Sequence, residues 1–307
     1  MTAPRNLAPF ALFGAVLAAA GLPIYIHAPK FYVDEYGVSL AALGGVLFAL
    51  RLLDVVQDPA LGWLSRRLRD HRAVAVAAAG GVLALSMIGL FAIAPPINPT
   101  AWFAITLTLL FSSFSFLTIS FYAQGVTTAK KLGENGHVRL AGWRETGALI
   151  GVSLAAVAPV ALTSVGSSPF AIFAALFAVC VFAAILSMRS NWTAGTEPAT
   201  PGLMPFLRDP LTRRLLLIAL LNATPVAVTS TLFLFFVESR LEAPGWEGPL
   251  LLLFFVSAAV CAPLWSRLAQ SIGAKSALML GMVMSIMAFG WAAFLGAGDL
   301  LPFVVIC

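Results

Sequence analysis

Long apolar runs separated by short polar turns recur along the whole chain. They cover residues 8–28, 37–58, 73–95, 100–124, 142–163, 167–187, 212–237, 248–266 and 276–297. Each is about 20 residues or slightly longer, the length a helix needs to cross a hydrocarbon core of roughly 30 Å. A further run, LLPFVVIC, begins after Asp299. The pattern predicts an all-α transmembrane protein with about nine to ten helices. The first run is too long for a signal peptide, and no small-residue cleavage pattern follows it. Pro23, Tyr25 and His27 also interrupt it, so it reads as a retained helix.

One stretch breaks the rhythm of short turns. Residues 188–211, MRSNWTAGTEPATPGLMPFLRDPL, are polar and rich in Pro, Thr and Gly. They read as a cytoplasmic linker between an N-terminal six-helix bundle, 1–187, and a partial C-terminal bundle, 212–307. Ser65–Leu68 after the second helix recurs loosely as Ser266-Arg267-Leu268 after the eighth, where a repeat of two halves would put it. A six-plus-six carrier needs about three more helices beyond Cys307, so the expected chain is C-terminally truncated.

Composition changes the picture by fixing the surroundings. The chain has 307 residues, 60% hydrophobic and 10% charged, with mean hydropathy +0.96. No soluble domain of this size hides so much apolar surface, so lipid must cover it. The pI near 9.4 does not point to nucleic acid, because the basic residues are scattered over the turns. With the N-terminus in the cytoplasm, the inner side collects Arg66, Arg67, Arg69, Arg72, Lys130, Lys131, Arg139, Arg189, Arg267 and Lys275, among others. The outer side keeps Lys30 and Arg240. That asymmetry predicts a multi-pass protein of the cell inner (plasma) membrane with a cytoplasmic N-terminus. The sequon Asn191-Trp192-Thr193 then lies inside and is not glycosylated. Cys180, Cys261 and Cys307 sit in apolar runs without paired spacing, and read as small buried hydrophobes rather than a disulfide or metal framework.

Charge inside the second run is the exception that needs a cause. Arg51, Asp54 and Asp58 fall at i, i+3 and i+7, on one helical face. A charge near mid-membrane costs about 2.5–3.5 kcal/mol on insertion scales, and such residues mark ion and solute pathways. Two carboxylates one turn apart in low dielectric repel, and a proton or a small hard cation relieves the repulsion. Arg51 supplies partial charge balance.

These residues carry a resemblance. The helix order, the linker and the basic turn after the second helix resemble the major facilitator superfamily. R-x-x-D-x-x-x-D-P-x-x-G (Arg51, Asp54, Asp58, Pro59, Gly62) is similar to the helix-two signature of the glycoside–pentoside–hexuronide:cation symporters, the melibiose-carrier-like family. FYVDEYGVS (31–39) and the approach from Arg139 to Arg144 fit the same family. The resemblance implies that Asp54 and Asp58 hold the coupling Na⁺ or H⁺, with Ser115 completing the site. It implies that Arg144, Tyr122, Thr118 and Tyr25 meet the solute, with Tyr122 stacking on a sugar. The family's two sugar-binding acids fall on Ala18 and Thr118, and Arg66 stands where many facilitators carry an Asp.

Each residue also has a structural reading. Arg51 with Asp54 could be an ion pair holding the helix to a neighbour, and Arg144 with Glu145 an interfacial pair near a helix start at Leu140. Tyr122 and Gln124 could be interfacial anchors, and Ser115 and Thr118 could bond to their own backbone carbonyls. His27 reads as an outer-edge residue, and Asn222 beside Thr224 and Pro225 as a cavity-lining or interhelical group. No nucleophile–base set or phosphate loop suggests an enzyme. The expected function is cation-coupled symport of a sugar, glycoside or similar small polar solute, without a cofactor and as a monomer. The alternatives are a proton-coupled carrier of a non-sugar solute, and a transport-inactive sensor or scaffold of the same fold.

Overall fold

The computed structural model describes residues 6–164, 166, 168–192, 208–243 and 246–307. Among the described residues the chain is all-α, with eleven α-helices and no strand. The described residues fall into two compact units, Met1–Gly195 with Phe255–Leu278, and Thr196–Phe254 with Met279–Cys307. Six helices among them are long and apolar enough to cross a membrane.

The first apolar run is two helices, α1 (Ala8–Ala20) and α2 (Leu22–Tyr36), broken at Gly21 (φ −86°, ψ −104°) with proline in the first turn of α2. α2 stops at Gly37, whose φ of +64° suits glycine. That turn sends the amides of Gly37 and Val38 back to the carbonyls of Val33 and Tyr32.

The next helices outrun their apolar segments. α3 (Leu40–Arg67) starts where Ser39 Oγ accepts the Ala42 amide at 3.3 Å, and it continues through the three charges and Pro59. α4 (Arg72–Phe91) follows a short 3₁₀ turn at Arg69–His71. α5 (Pro99–Lys131) starts at Asn98, whose Oδ1 accepts the amides of Thr100 and Ala101 at 3.0 and 3.2 Å. α6 (Gly136–Ala161) and α7 (Pro169–Met188) complete the series before the linker. Hydropathy ends near 58 and 124, but these helices run on to Arg67 and Lys131. Cationic side chains favour a helix C-terminus, where they offset the dipole, so the backbone has no reason to stop at the membrane edge.

Close packing of small residues fixes the neighbour relations. A Cβ on Gly147 would strike the Ala11 carbonyl, and one on Gly151 the Ala15 carbonyl; one on Gly14 would lie 2.8 Å from the Arg144 carbonyl. α1 and α6 therefore meet backbone to backbone along a small-xxx-small stripe. Phe10 and Phe13 of α1 pack on Phe121 of α5, with ring centroids 5.7 and 4.9 Å apart. Towards the end opposite the basic turns, Phe31, Phe91 and Phe170 join α2, α4 and α7 at 4.8–5.5 Å. His27 is not a loose edge residue. It is half-buried, and its Nε2 lies 2.9 Å from the Ala156 carbonyl, tying α2 to α6.

After the linker come α8 (Pro210–Phe235), a π turn at Phe236–Arg240, α9 (Glu247–Ile272), α10 (Ala274–Ala292) and α11 (Leu300–Ile306). The second unit centres on Val237, Leu241, Leu250, Leu295 and Phe303. The second half of α9, from Phe255, belongs to the first unit, where Ser266 Oγ donates to the Val138 carbonyl of α6 at 3.4 Å. The cysteines depart from expectation: Cys180 and Cys261 are exposed on α7 and α9, Cys307 is half-buried, and all three are free. An apolar run places a thiol in the membrane but does not say which helix face it takes.

Candidate functional site

The site grows from the contact of α3 with α5. α3 is helical without interruption through Arg51, Asp54 and Asp58, so the two carboxylates stand one turn apart. Asp58 Oδ1 accepts a hydrogen bond from Ser115 Oγ of α5. Asp54 Oδ1 accepts from Gln57 Nε2 at 2.9 Å, and Gln57 Oε1 accepts from Ser112 Oγ at 2.8 Å. Both carboxylates are thus linked to α5, one directly and one through an amide. Arg51 Nη1 lies 3.5 Å from Asp54 Oδ2. The Arg51 side chain is 63% exposed and that of Asp54 only 23%, so the pair sits at the open side of the cluster with the acid turned inward.

Ser115 is thereby distinguished from its neighbours. Thr108, Ser113 and Ser153 donate to carbonyls one turn back in their own helices, at 2.7 Å each. Ser115 reaches across instead. Thr118, one turn further along α5, has a buried Oγ1 without a hydrogen-bond partner among the described residues. It hydrogen-bonds neither to its own backbone nor to the carboxylates.

Gln57 and Ser112 were not anticipated. The available signal is that Gln57 is the remaining polar side chain between Asp54 and Asp58, i+3 from the first. Its partner Ser112 can be identified only once α3 and α5 are set side by side.

The polar seam continues beyond the carboxylates. Ser65 and Ser120 share a buried hydrogen bond of 2.8 Å, and Arg72 Nη1 donates to Gln124 Oε1 at 3.4 Å. Gln124 is fully buried and Arg72 is 4% exposed. Gln124 is therefore an internal group rather than an interfacial anchor, because α5 runs on to Lys131 instead of ending near 124.

A second station lies two turns along α5. Tyr122 is seven residues from Ser115, on the same helical face and about 10 Å away at 1.5 Å per residue. Arg144 of α6 sits over the Tyr122 ring, 4.1 Å from its centroid. Its Nε and Nη2 also donate to Glu145 Oε1 at 2.9 and 2.7 Å. α6 begins at Gly136 rather than near Leu140, so Arg144 stands two turns inside the helix. A cavity of about 430 Å³ opens beside this pair, lined by Tyr122, Val126, His137, Leu140 and Arg144. The Arg144 side chain keeps 22% exposure. Tyr25 lies in α2, but its side chain is outside the described residues, as are those of Thr224 and Pro225; Asn222 is exposed on α8.

Two carboxylates and a hydroxyl offer hard oxygens suited to Na⁺ or a proton, and a stacked guanidinium beside an apolar cavity offers a fork of donors to a polar solute. A family model described as MFS/sugar transport protein matches residues 9–307. The chain belongs to this family. As a member of the major facilitator superfamily it is a multi-pass membrane transporter rather than an enzyme, and a small solute is its cargo. No curated protein matches the chain.

Proposed function

We propose that this facilitator is a melibiose-carrier-like symporter, which couples Na⁺ or H⁺ to the movement of a sugar, glycoside or similar small polar solute. The observation that carries the reading is the pair Asp54 and Asp58, held one turn apart on α3 and tied to α5 through Gln57–Ser112 and Ser115. Paired acids on a membrane-spanning helix are costly, and they repel unless a cation or proton sits between them. Loading the site changes the charge that α3 presents to α5, which favours rearrangement of the bundle around a solute. The solute docks at Arg144 and Tyr122, with Thr118 and Tyr25 contributing. The bundle 1–187 and the helices from 212 onward act as the two moving halves, in a monomer of the plasma membrane.

A proton-coupled carrier of a non-sugar solute is the second reading. It is favoured by Ala18 and Thr118 at the family's sugar-gripping positions, and by a cavity whose basic lining is Arg144 and His137, with no carboxylate among the described residues that line it.

Transport into vesicles under an imposed Na⁺ or pH gradient tests both. Asp54→Asn and Asp58→Asn should each abolish accumulation while leaving solute exchange measurable, since Asn keeps volume and hydrogen bonding but removes the charge. Arg144→Ala should lose solute binding with or without the cation. Accumulation by both Asn variants at the parent level would show that the acids are structural. The gradient that drives uptake identifies the ion.

A further inference from the structure

A second cavity, of about 340 Å³, lies between the start of α6 and the last turns of α9, within the first unit. Arg139 and Thr146 line it from α6, and Ser266, Arg267 and Gln270 from α9, with Trp143 at its edge. Its two charged groups are both arginines, and neither forms an ion pair with a carboxylate among the described residues. Gln270 Nε2 is turned back onto the Ser266 carbonyl at 3.0 Å, and Ser266 Oγ onto Val138. A Cβ on Gly142 would strike Ser266 Oγ, so the two helices touch there, beneath the groove's other lining residues.

The groove is separate from the solute cavity. The cavity takes residues 137, 140, 141 and 144 of α6, and the groove takes 139, 142, 143 and 146. A two-residue offset turns about 200° around a helix, so the two open on opposite sides of α6.

Its position is at the end of the unit where α3 finishes in Arg66-Arg67 and α5 in Lys130-Lys131. Beyond the arginines, along the length of the helices, the outer faces are apolar and open. Ile150 and Leu154 of α6 are 46% and 67% exposed, and Val260 and Leu264 of α9 are 65% and 56% exposed. Trp143, 48% exposed, stands between the basic and apolar zones, as a ring at a membrane–water boundary does.

We infer that this groove holds the phosphate headgroup of an anionic membrane lipid. Arg139 and Arg267 grip the phosphate oxygens, and the acyl chains run along Ile150, Leu154, Val260 and Leu264. Guanidinium forks match phosphate geometry, and basic pockets between membrane helices suit lipid headgroups. The apolar walls favour a lipid over free phosphate, which would have no use for them.

The test uses the whole chain, delipidated in a neutral detergent. Phosphatidylglycerol, phosphatidylcholine and soluble glycerol phosphate are added at equal phosphate concentration. Bound lipid is counted by native mass spectrometry, and the thermal midpoint is followed alongside. Phosphatidylglycerol should bind and raise the midpoint, while the other two do neither. Arg139→Gln with Arg267→Gln should weaken phosphatidylglycerol binding at least about tenfold, the loss expected when charge-assisted bonds go. Arg189→Gln, a basic residue outside the groove, should bind like the parent. The pair Arg139→Lys with Arg267→Lys guards against misfolding, since it keeps charge and loses the fork, and it should fall between parent and Gln pair. Equal phosphatidylglycerol binding by the Gln pair and the parent overturns the site. An equal response to glycerol phosphate overturns the lipid as its occupant.

Discussion

At the scale of single residues, the direction a hydroxyl takes separates a group that reaches another helix from one that bonds only within its own. Ser113 and Ser115 are near neighbours on one helix, yet Ser113 bonds to the Leu109 carbonyl and Ser115 to Asp58. Ser115→Ala removes the hydroxyl oxygen that would complete the shell of a hard cation held at Asp58. Half-saturation by the coupling cation should therefore rise by about tenfold or more. Ser113→Ala should leave it within about twofold, because that bond only satisfies its own backbone. Cation-dependent uptake at fixed solute measures both. Equal responses would remove Ser115 from the cation site. The acids and Ser115 were legible in the sequence because charge in an apolar run is conspicuous, and because the resemblance assigned the hydroxyl. Gln57, Ser112 and the Arg72–Gln124 pair were not, since an uncharged polar residue gains meaning only from the neighbour that another helix brings to it. Tyr122 and Arg144 came through the resemblance, and the sequence also offered Arg144 with Glu145 as a pair, while the stacking of Arg144 on Tyr122 depends on how α5 meets α6.

At the scale of helices, hydropathy located the spans and misplaced their ends. It marks where lipid stops, whereas a helix stops where its caps are. Ser39, Gly37 and Asn98-Pro99 are such signals in the chain, and they agree with the observed boundaries better than the fading of apolar character does. The break at Gly21 and the contact of α1 with α6 were hidden for a different reason. A small residue is silent in a hydropathy pattern, though it decides how near two backbones come. Gly151→Ala and Gly147→Ala should each lower stability by about 1–3 kcal/mol, since a methyl must displace the α1 backbone. Gly81→Ala, with nothing within 4 Å of its new methyl, should instead raise stability by about 0.5–1 kcal/mol through helix propensity. Thermal unfolding in detergent reads both signs, and a matching loss at all three positions would rule out the close α1–α6 contact.

At the scale of the whole molecule, the helix termini of the first unit sort by charge. α3 ends in Arg66 and Arg67, and α5 in Lys130 and Lys131. Arg72 opens α4 beside Gln124, and the Ser266 turn of α9 reaches Val138 at the start of α6. The basic turns therefore share one end of the unit, as the alternation of spans in the sequence requires. The opposite end carries Asp34, Glu35 and the turn at Ile97. Positive residues resist translocation, so the basic end should face the cytoplasm. With Cys180, Cys261 and Cys307 first replaced by serine, single cysteines at Asp70 and Glu134 should react with an impermeant maleimide only in inside-out vesicles. Cysteines at Glu35 and Ile97 should react only in right-side-out vesicles. All four positions are exposed, so failure to label for want of access is not expected. Labelling of both sets from the same side would mean that the helices between them do not all cross the membrane. The reverse assignment would keep the fold and invert the orientation, placing the lipid groove between α6 and α9 in the outer leaflet.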